Sequence, residues 1–322
     1  MDTHPAEAPG GVTVGVDGSP SALRAVRWAA REAALRQVPL RIVHASPHYP
    51  ELGGGGARQE WPLLTQIAHG LAGRARQVAL SAEPALSVAT SVITGAPART
   101  LIDCSPDTQL LVVAARGLDG FAGLHLGSVA ATVSTYARCP VVIVRHPAAP
   151  MLDRLAPVVV GVDGSANSQP ALEFGFTFAS RRGLPLVAVH SWRDLSPHAA
   201  HQVLTHAADR GDLEAEEERV LAESLAGWSE RYPDVPVSRV VRRDRAVDVL
   251  LSFSPIAELL VVASRGRGGF AGMLLGSTTQ SVVRYGSGPI AVVHPGTGLG
   301  KERAEHRSAQ VSGQEATVDR RS

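Results

Sequence analysis

Short apolar runs alternate along this chain with longer segments in which apolar residues recur every three or four positions. The first run spans Val12 to Val16, and the segment after it carries Leu23, Val26, Ala30 and Ala33 on one side. Continuous β-branched runs are typical of buried parallel strands, and the three-to-four-residue period is typical of helices. Because the two kinds of segment alternate with mostly short connections, the pattern predicts a parallel α/β sheet with right-handed crossovers and helices on both faces.

Each half of the chain contains five such runs. The predicted strands lie near residues 12–16, 40–44, 88–93, 110–113 and 140–144 and near residues 158–162, 186–190, 237–241, 259–262 and 289–293. Ser19 is suited to cap a helix whose first residue is Pro20, and Ser277 is suited to cap the last helix. Residues 47–60, which include four consecutive glycines, predict a mobile loop, and Leu213 to Trp228 predict an acidic helix with a solvated face.

The two halves repeat one another. The stretch Val112–Val129 recurs as Val261–Thr278 at an offset of 149 residues, and the opening of the first half recurs at an offset of 146. We therefore expect two domains, at residues 1–147 and 156–296, joined by a linker at 148–155. Residues 297–322 are polar and aperiodic, and they predict a disordered tail.

Composition narrows the classes of function. The formal net charge of +1 gives no support for a nucleic-acid or membrane partner, and no apolar run approaches the roughly 20 residues of a membrane span. Cys104 and Cys139 have no metal-type spacing, so we expect two reduced thiols in a soluble, cytoplasmic protein. Since Lys301 is the one lysine, a phosphate site in the folded part must use backbone amides or arginine.

Candidate chemistry lies where a strand gives way to a glycine-rich loop and then to a helix. This order brings free backbone N–H groups and a helix dipole together, which favours an anion. Asp17 and Asp163 end the first strand of each half, at the sheet edge where parallel α/β folds bind ligands. Each aspartate is suited either to accept hydrogen bonds from a ligand or to cap the helix that follows it.

The glycine stretches carry the pattern G-x9-G-S twice, at Gly117 with Gly127-Ser128 and at Gly266 with Gly276-Ser277. Together with the preceding aspartates and the repeat, this resembles the universal stress protein family in its tandem, actinobacterial form, over residues 12 to 295. The family pattern is G-x2-G-x9-G-[S/T], and this chain has Ala114 and Ala263 at its leading glycine. A methyl group there has the potential to crowd a ribose or a phosphate.

The resemblance implies two Rossmann-like domains, each with a five-stranded parallel sheet in the order 3-2-1-4-5. It implies ATP or a related adenine nucleotide as the ligand, with or without magnesium, and no metal site of the protein's own. The expected ligand-binding residues in the first half are Gly15, Asp17, Ala45, Val113, Ala114, Gly117, Gly127, Ser128 and Val129. Those in the second half are Gly161, Asp163, Ser191, Val262, Ala263, Gly266, Gly276, Ser277 and Thr278.

The resulting hypothesis is an ATP-binding regulatory module that supports survival under stress. No catalytic set of residues recurs in the two glycine stretches, so we do not expect an enzyme, and a slow ATP hydrolase or phosphotransferase is the first alternative. A nucleotide-free dimerisation scaffold is the second. His198, His201 and His206 share one insert, but their spacing does not favour a metal site.

Assembly is predicted from the two fifth strands. In the family's sheet the fifth strand is an edge, and here Val141–Val144 and Ile290–Val293 are continuous apolar runs. Because an exposed apolar edge favours pairing with another strand, we expect the two edges to pair with each other within one chain. A homodimer of tandem chains is compatible with this arrangement.

Overall fold

The structure is a computed structural model that describes residues 10–46, 57–117, 126–145, 156–192, 210–267 and 274–296. The side chains of residues 57–62 and 210–212 are not among those described. The predicted linker, the polar tail, the three histidines of the insert and most of the predicted glycine-rich loop lie outside these ranges. The loop is also shorter than predicted, because a helix already begins at Ala57.

The first half folds as alternating strands and helices. Its elements are β1 (Gly11–Val16), α1 (Pro20–Arg36), β2 (Leu40–Ser46), α2 (Ala57–Ala82), β3 (Val88–Thr94), α3 (Pro97–Cys104), β4 (Thr108–Ala114), α4 (Ser128–Tyr136) and β5 (Val141–Val144). The second half repeats the plan with β6 (Val158–Val162), α5 (Ser168–Arg182), β7 (Leu186–Trp192), α6 (Arg210–Ser224), α7 (Trp228–Arg231), β8 (Val237–Arg243), α8 (Ala246–Phe253), β9 (Leu259–Ala263), α9 (Ser277–Tyr285) and β10 (Ile290–Val293). The predicted class, two α/β units with parallel strands, is confirmed.

The ten strands of the described residues form one sheet, in the order β3-β2-β1-β4-β5-β10-β9-β6-β7-β8. Within each half the neighbours are parallel, whereas β5 and β10 pair antiparallel. Val142 lies opposite Ala291, its own counterpart in the 149-residue repeat. A pseudo-two-fold axis therefore passes between these two residues, and the predicted pairing of the fifth strands is present within the chain.

The sheet has a hydrophobic core on each face. One core lies on the side of α1 and α5 and is continuous through both halves, joining Val12 and Val158 to the same buried cluster. The other lies on the side of α3, α4, α8 and α9. Aliphatic side chains dominate both cores, as the low aromatic content predicts.

Two details of the predicted helices are wrong. Gly276, not Ser277, is the N-cap of α9: its backbone is extended and Ser277 is already the first helical residue. The acidic helix ends at Ser224 and not at Trp228, because Gly227 takes a positive φ of 77° and a new short helix begins after it. No helix among the described residues is both long and apolar enough to span a bilayer.

Candidate functional site

The candidate site of the first half lies at the carboxyl ends of β1 and β4. These strands are neighbours, but the chain leaves β1 towards β2 on one side and β4 towards β5 on the other. Such a reversal of strand order opens a crevice between the two following loops. Gly15 and Asp17 reach it from β1, and Val113 and Ala114 reach it from β4.

A cavity of about 430 Å³ occupies this crevice. Its wall includes all nine residues predicted for the first half, namely Gly15, Asp17, Ala45, Val113, Ala114, Gly117, Gly127, Ser128 and Val129. The volume is within the range of small-molecule sites, about 300–1,000 Å³. Residues separated by more than 100 positions in the sequence thus form one wall.

The wall also contains residues that the sequence analysis did not assign to the site. Val43 from β2 and Pro97 and Leu101 from α3 supply apolar surface, and Leu126 lies beside the N-terminus of α4. These residues add to the apolar part of the site. The signal for two of them was present, because Gly95-Ala96-Pro97 marks a helix that starts at the same sheet edge.

Asp17 is fixed by the turn that follows β1. Its Oδ1 accepts the N–H of Ser19 at 2.9 Å, while Ser19 caps α1 by accepting the N–H of Ala22 at 3.1 Å. The cap of α1 predicted at Ser19 is therefore confirmed, and the side chain that caps this helix is not Asp17. The carboxylate remains part of the cavity wall.

Gly117 approaches the same carboxylate closely. A Cβ atom on Gly117 would lie 2.2 Å from Oδ2 of Asp17, whereas its φ is not positive. The glycine is therefore required for close approach and not for an unusual backbone conformation. The second half repeats this contact, since a Cβ atom on Gly266 would lie 2.5 Å from Oδ2 of Asp163.

The N-terminus of α4 supplies backbone donors. The Gly127 N–H donates to the carbonyl oxygen of Ala115 at 2.7 Å, and the first intrahelical donor is the Ala131 N–H. The amides of Ser128, Val129 and Ala130 lie between them, at positions where a helix offers no acceptor, and all three residues line the cavity. The geometry is suited to an anion at this end of the cavity.

The two alanines at the leading position of the pattern adopt ordinary backbone conformations. Neither Ala114 nor Ala263 has a positive φ. Alanine therefore introduces no backbone strain at either position. What it adds is a methyl group at the end of β4 and β9.

The second half holds its aspartate differently. Oδ1 of Asp163 accepts the Ser165 N–H at 3.0 Å and the hydroxyls of Ser165 and Ser168, each at 2.6 Å. Oδ2 accepts the Arg267 N–H at 2.6 Å. Burial alone would raise the pKa of Asp163, but these hydrogen bonds outweigh it and hold the pKa below its ordinary value. The position of Ser168 is occupied in the first half by Ala22.

The other residues predicted for the second half lie at the corresponding sheet edge. Gly161 and Val262 are in β6 and β9, and the Gly276 N–H donates to the Ser264 carbonyl oxygen at 2.8 Å, as Gly127 does in the first half. Ser277 and Thr278 follow as the first residues of α9. The Ser191 hydroxyl donates to the carbonyl oxygen of Asp244 at 2.6 Å, so this side chain is already engaged by the loop after β8.

Metal ligands do not converge in the described part of the chain. No group of three or more His, Cys, Asp or Glu side chains there is arranged to hold a metal ion. Cys104 and Cys139 are free thiols. His44 and His190 occupy corresponding positions in β2 and β7, where Nδ1 of each lies 2.8 Å from a carbonyl oxygen of the preceding strand.

Residues 11–145 and 155–294 each match the model of the universal stress protein family. The chain belongs to the universal stress protein family. Among its relatives, Universal stress protein Rv1996 of Mycobacterium tuberculosis is 39% identical over 298 residues, which cover 88% of this chain and 94% of the relative. Universal stress protein Rv2623 of the same organism is 40% identical over 289 residues, with 88% and 95% covered.

A solved structure agrees with this universal stress protein at the level of the fold. It is a universal stress protein from Archaeoglobus fulgidus, with a TM-score of 0.63 and 20% sequence identity. The match covers 89% of this chain and 97% of that one. The two-unit fold of this chain therefore corresponds to nearly the whole length of that structure.

Proposed function

We propose that this universal stress protein is a cytoplasmic regulatory module that binds ATP, or a related adenine nucleotide, in the cavity of its first half. The observation that carries the proposal is the composition of one wall. It combines a half-buried carboxylate, glycines at close-approach positions and three amides of a helix N-terminus around about 430 Å³.

The two ends of the nucleotide would meet different chemistry. The amides of Ser128, Val129 and Ala130 would bind phosphate oxygens, because they lack intrahelical acceptors and lie at the positive end of the α4 dipole. Asp17 would accept hydrogen bonds from the nucleoside, near the backbone of Ala45. Main-chain donors would thus hold the charge, which agrees with the absence of lysine before residue 301. Magnesium, if bound, would arrive with the phosphates.

The second half would offer a similar site at Asp163, Gly266 and the N-terminus of α9. Its aspartate already accepts four hydrogen bonds, two of them from serine hydroxyls. A nucleoside would have to compete with these donors. Because the Ser168 hydroxyl has no counterpart in the first half, where Ala22 occupies its position, we propose that the first half is the tighter of the two sites.

Mass spectrometry of the freshly purified protein, denatured to release its ligands, tests the proposal first. It should release an adenine nucleotide, and titration calorimetry with ATP and with AMP should show saturable binding. Asp17→Ala should weaken the tighter binding event by about 10- to 100-fold, through loss of a charge-assisted hydrogen bond worth about 1.5–3 kcal/mol. Asp248→Asn, at an exposed position in α8, is the matched control and should leave binding unchanged.

The same preparation separates the two alternatives. Release of radiolabelled phosphate from ATP, lost in Asp17→Ala, would indicate a slow hydrolase and not a binding module. Absence of any nucleotide and of any heat of binding would support a scaffold that acts through its paired halves. A mass of two chains in solution would add a homodimer to the proposal.

A further inference from the structure

A buried ionic cluster lies between α1 and α5, where the two halves pack against each other. The Glu32 side chain is fully buried, with Oε1 2.5 Å from Nε of Arg36 and Oε2 2.5 Å from Nη2 of Arg182. The side chains of Arg36 and Arg182 are 1% and 13% exposed. One carboxylate therefore serves two guanidinium groups, one from each half of the protein.

The repeat shows that only part of this cluster is symmetric. At the 146-residue offset, Arg36 corresponds to Arg182, but Glu32 corresponds to Phe178. Arg36 therefore meets a carboxylate one turn earlier on its own helix, whereas Arg182 meets an aromatic ring, with its guanidinium carbon 3.6 Å from the ring centroid of Phe178. Among the described residues, the carboxylate that pairs with Arg182 is Glu32, in the other half.

The aromatic contacts follow the same asymmetry. Trp28 of α1 stacks on Phe178 of α5 at a centroid distance of 6.2 Å, and Arg36 lies over Phe174 at 5.5 Å. In the first half, Glu32 stands at the position that corresponds to Phe178. Two paired first halves would therefore have no ring to stack on Trp28 in the way that Phe178 does. The strand edges distinguish far less between a like half and an unlike half, because β5 and β10 are both buried aliphatic runs of four residues.

Pairing of two second halves would be costly. It would bring two Arg182 side chains into a buried interface that contains no carboxylate at this position, and an uncompensated buried charge is strongly destabilising. A tandem chain contains the two halves in equal number, so every pair of first halves leaves a pair of second halves. Rejection of that one combination is enough to enforce mixed pairing.

We propose that Glu32 determines partner choice in this protein, so that the face formed by α1 accepts a second half and not another copy of itself. The proposal concerns the interface and is independent of nucleotide binding. It assigns to one carboxylate a role that the apolar strand edges cannot fulfil. It also gives a physical reason for a glutamate at a fully buried position.

The test uses the full chain with a protease site placed in residues 148–155, cleaved after folding and analysed by native mass spectrometry. Mixing with nitrogen-15-labelled cleaved protein and warming until label exchanges shows which halves re-pair. Random pairing would make half of all pairs mixed, that is, one first half with one second half. Mixed pairs should exceed this fraction, and pairs of two like halves should be at least about tenfold rarer than random pairing predicts. A random distribution in the wild-type protein would overturn the proposal.

Two variants separate partner choice from a merely structural contribution. Phe178→Glu gives the second half its own carboxylate, so pairs of second halves should appear. Glu32→Phe combined with Phe178→Glu moves the carboxylate to the other side of the axis, and it should restore mixed pairing and raise the thermal midpoint above that of Glu32→Phe alone. Glu173→Gln, which removes an ion pair internal to the second half, is the control. Failure of the double variant to recover either property would refute the proposal.

Discussion

The contact between Gly117 and Asp17 allows one prediction to be worked out in detail. In Gly117→Ala the new Cβ atom would lie 2.2 Å from Oδ2 of Asp17, well inside van der Waals contact. The backbone of Gly117 has no positive φ, so the substitution introduces no other strain. Relief therefore requires the carboxylate to move by roughly 1 Å, which takes it away from the position in which it lines the cavity.

Two of the interactions lost by the displaced carboxylate matter for this prediction. One is the hydrogen bond from the Ser19 N–H at 2.9 Å, worth about 1 kcal/mol of folding stability. The other is the proposed hydrogen bond to the nucleoside, worth about 1.5–3 kcal/mol because the acceptor is charged. We therefore expect Gly117→Ala to raise the Kd for ATP by about 10- to 100-fold and to lower stability only slightly.

A double-mutant cycle identifies the cause. Titration calorimetry with ATP is carried out on the wild type, Gly117→Ala, Asp17→Ala and the double variant. Because the glycine acts through the carboxylate, the second substitution should add little once Asp17 is absent. Gly73→Ala, where a Cβ atom meets nothing within 4 Å, controls for the loss of a glycine. Additive effects, or wild-type affinity in Gly117→Ala, would refute the reasoning.

Three further predictions concern other parts of the molecule. Gly276→Val places a branched side chain at the N-cap of α9, and calorimetry should show that the weaker of the two ATP-binding events is lost while the tighter one is unchanged. The folded-state pKa values of Glu32 and Asp163 are lowered, in Glu32 because two arginines outweigh the effect of burial. Urea unfolding should therefore show full stability above about pH 5 and a loss of stability as the pH falls through those pKa values. An unchanged urea midpoint at pH 3 would contradict this. Burial raises the pKa of Cys139 to about 12, so a thiol reagent at pH 8 should label half-buried Cys104 first, and equal rates would be inconsistent with the fold.

The sequence by itself determined the repeat, the order of strands and helices and the residues at the crevice. These features are local: a β-branched run, a glycine loop and a helix start are each encoded within about 20 residues. Once the strands are parallel, their carboxyl ends share one sheet edge, which is why Asp17 and Gly127 could be assigned to one wall. The apolar fifth strands likewise indicated their own pairing.

The tertiary structure decided what depends on residues far apart in the chain. The close approach of Gly117 to Asp17 joins positions 100 residues apart, and the four hydrogen bonds on Asp163 depend on where α5 and the loop at Arg267 meet. Glu32 gives the clearest case. With Arg36 four residues later it has the pattern of an exposed helical ion pair, yet it is fully buried because α5 covers it. Burial is a property of the partner surface, so no local pattern around this glutamate could predict it.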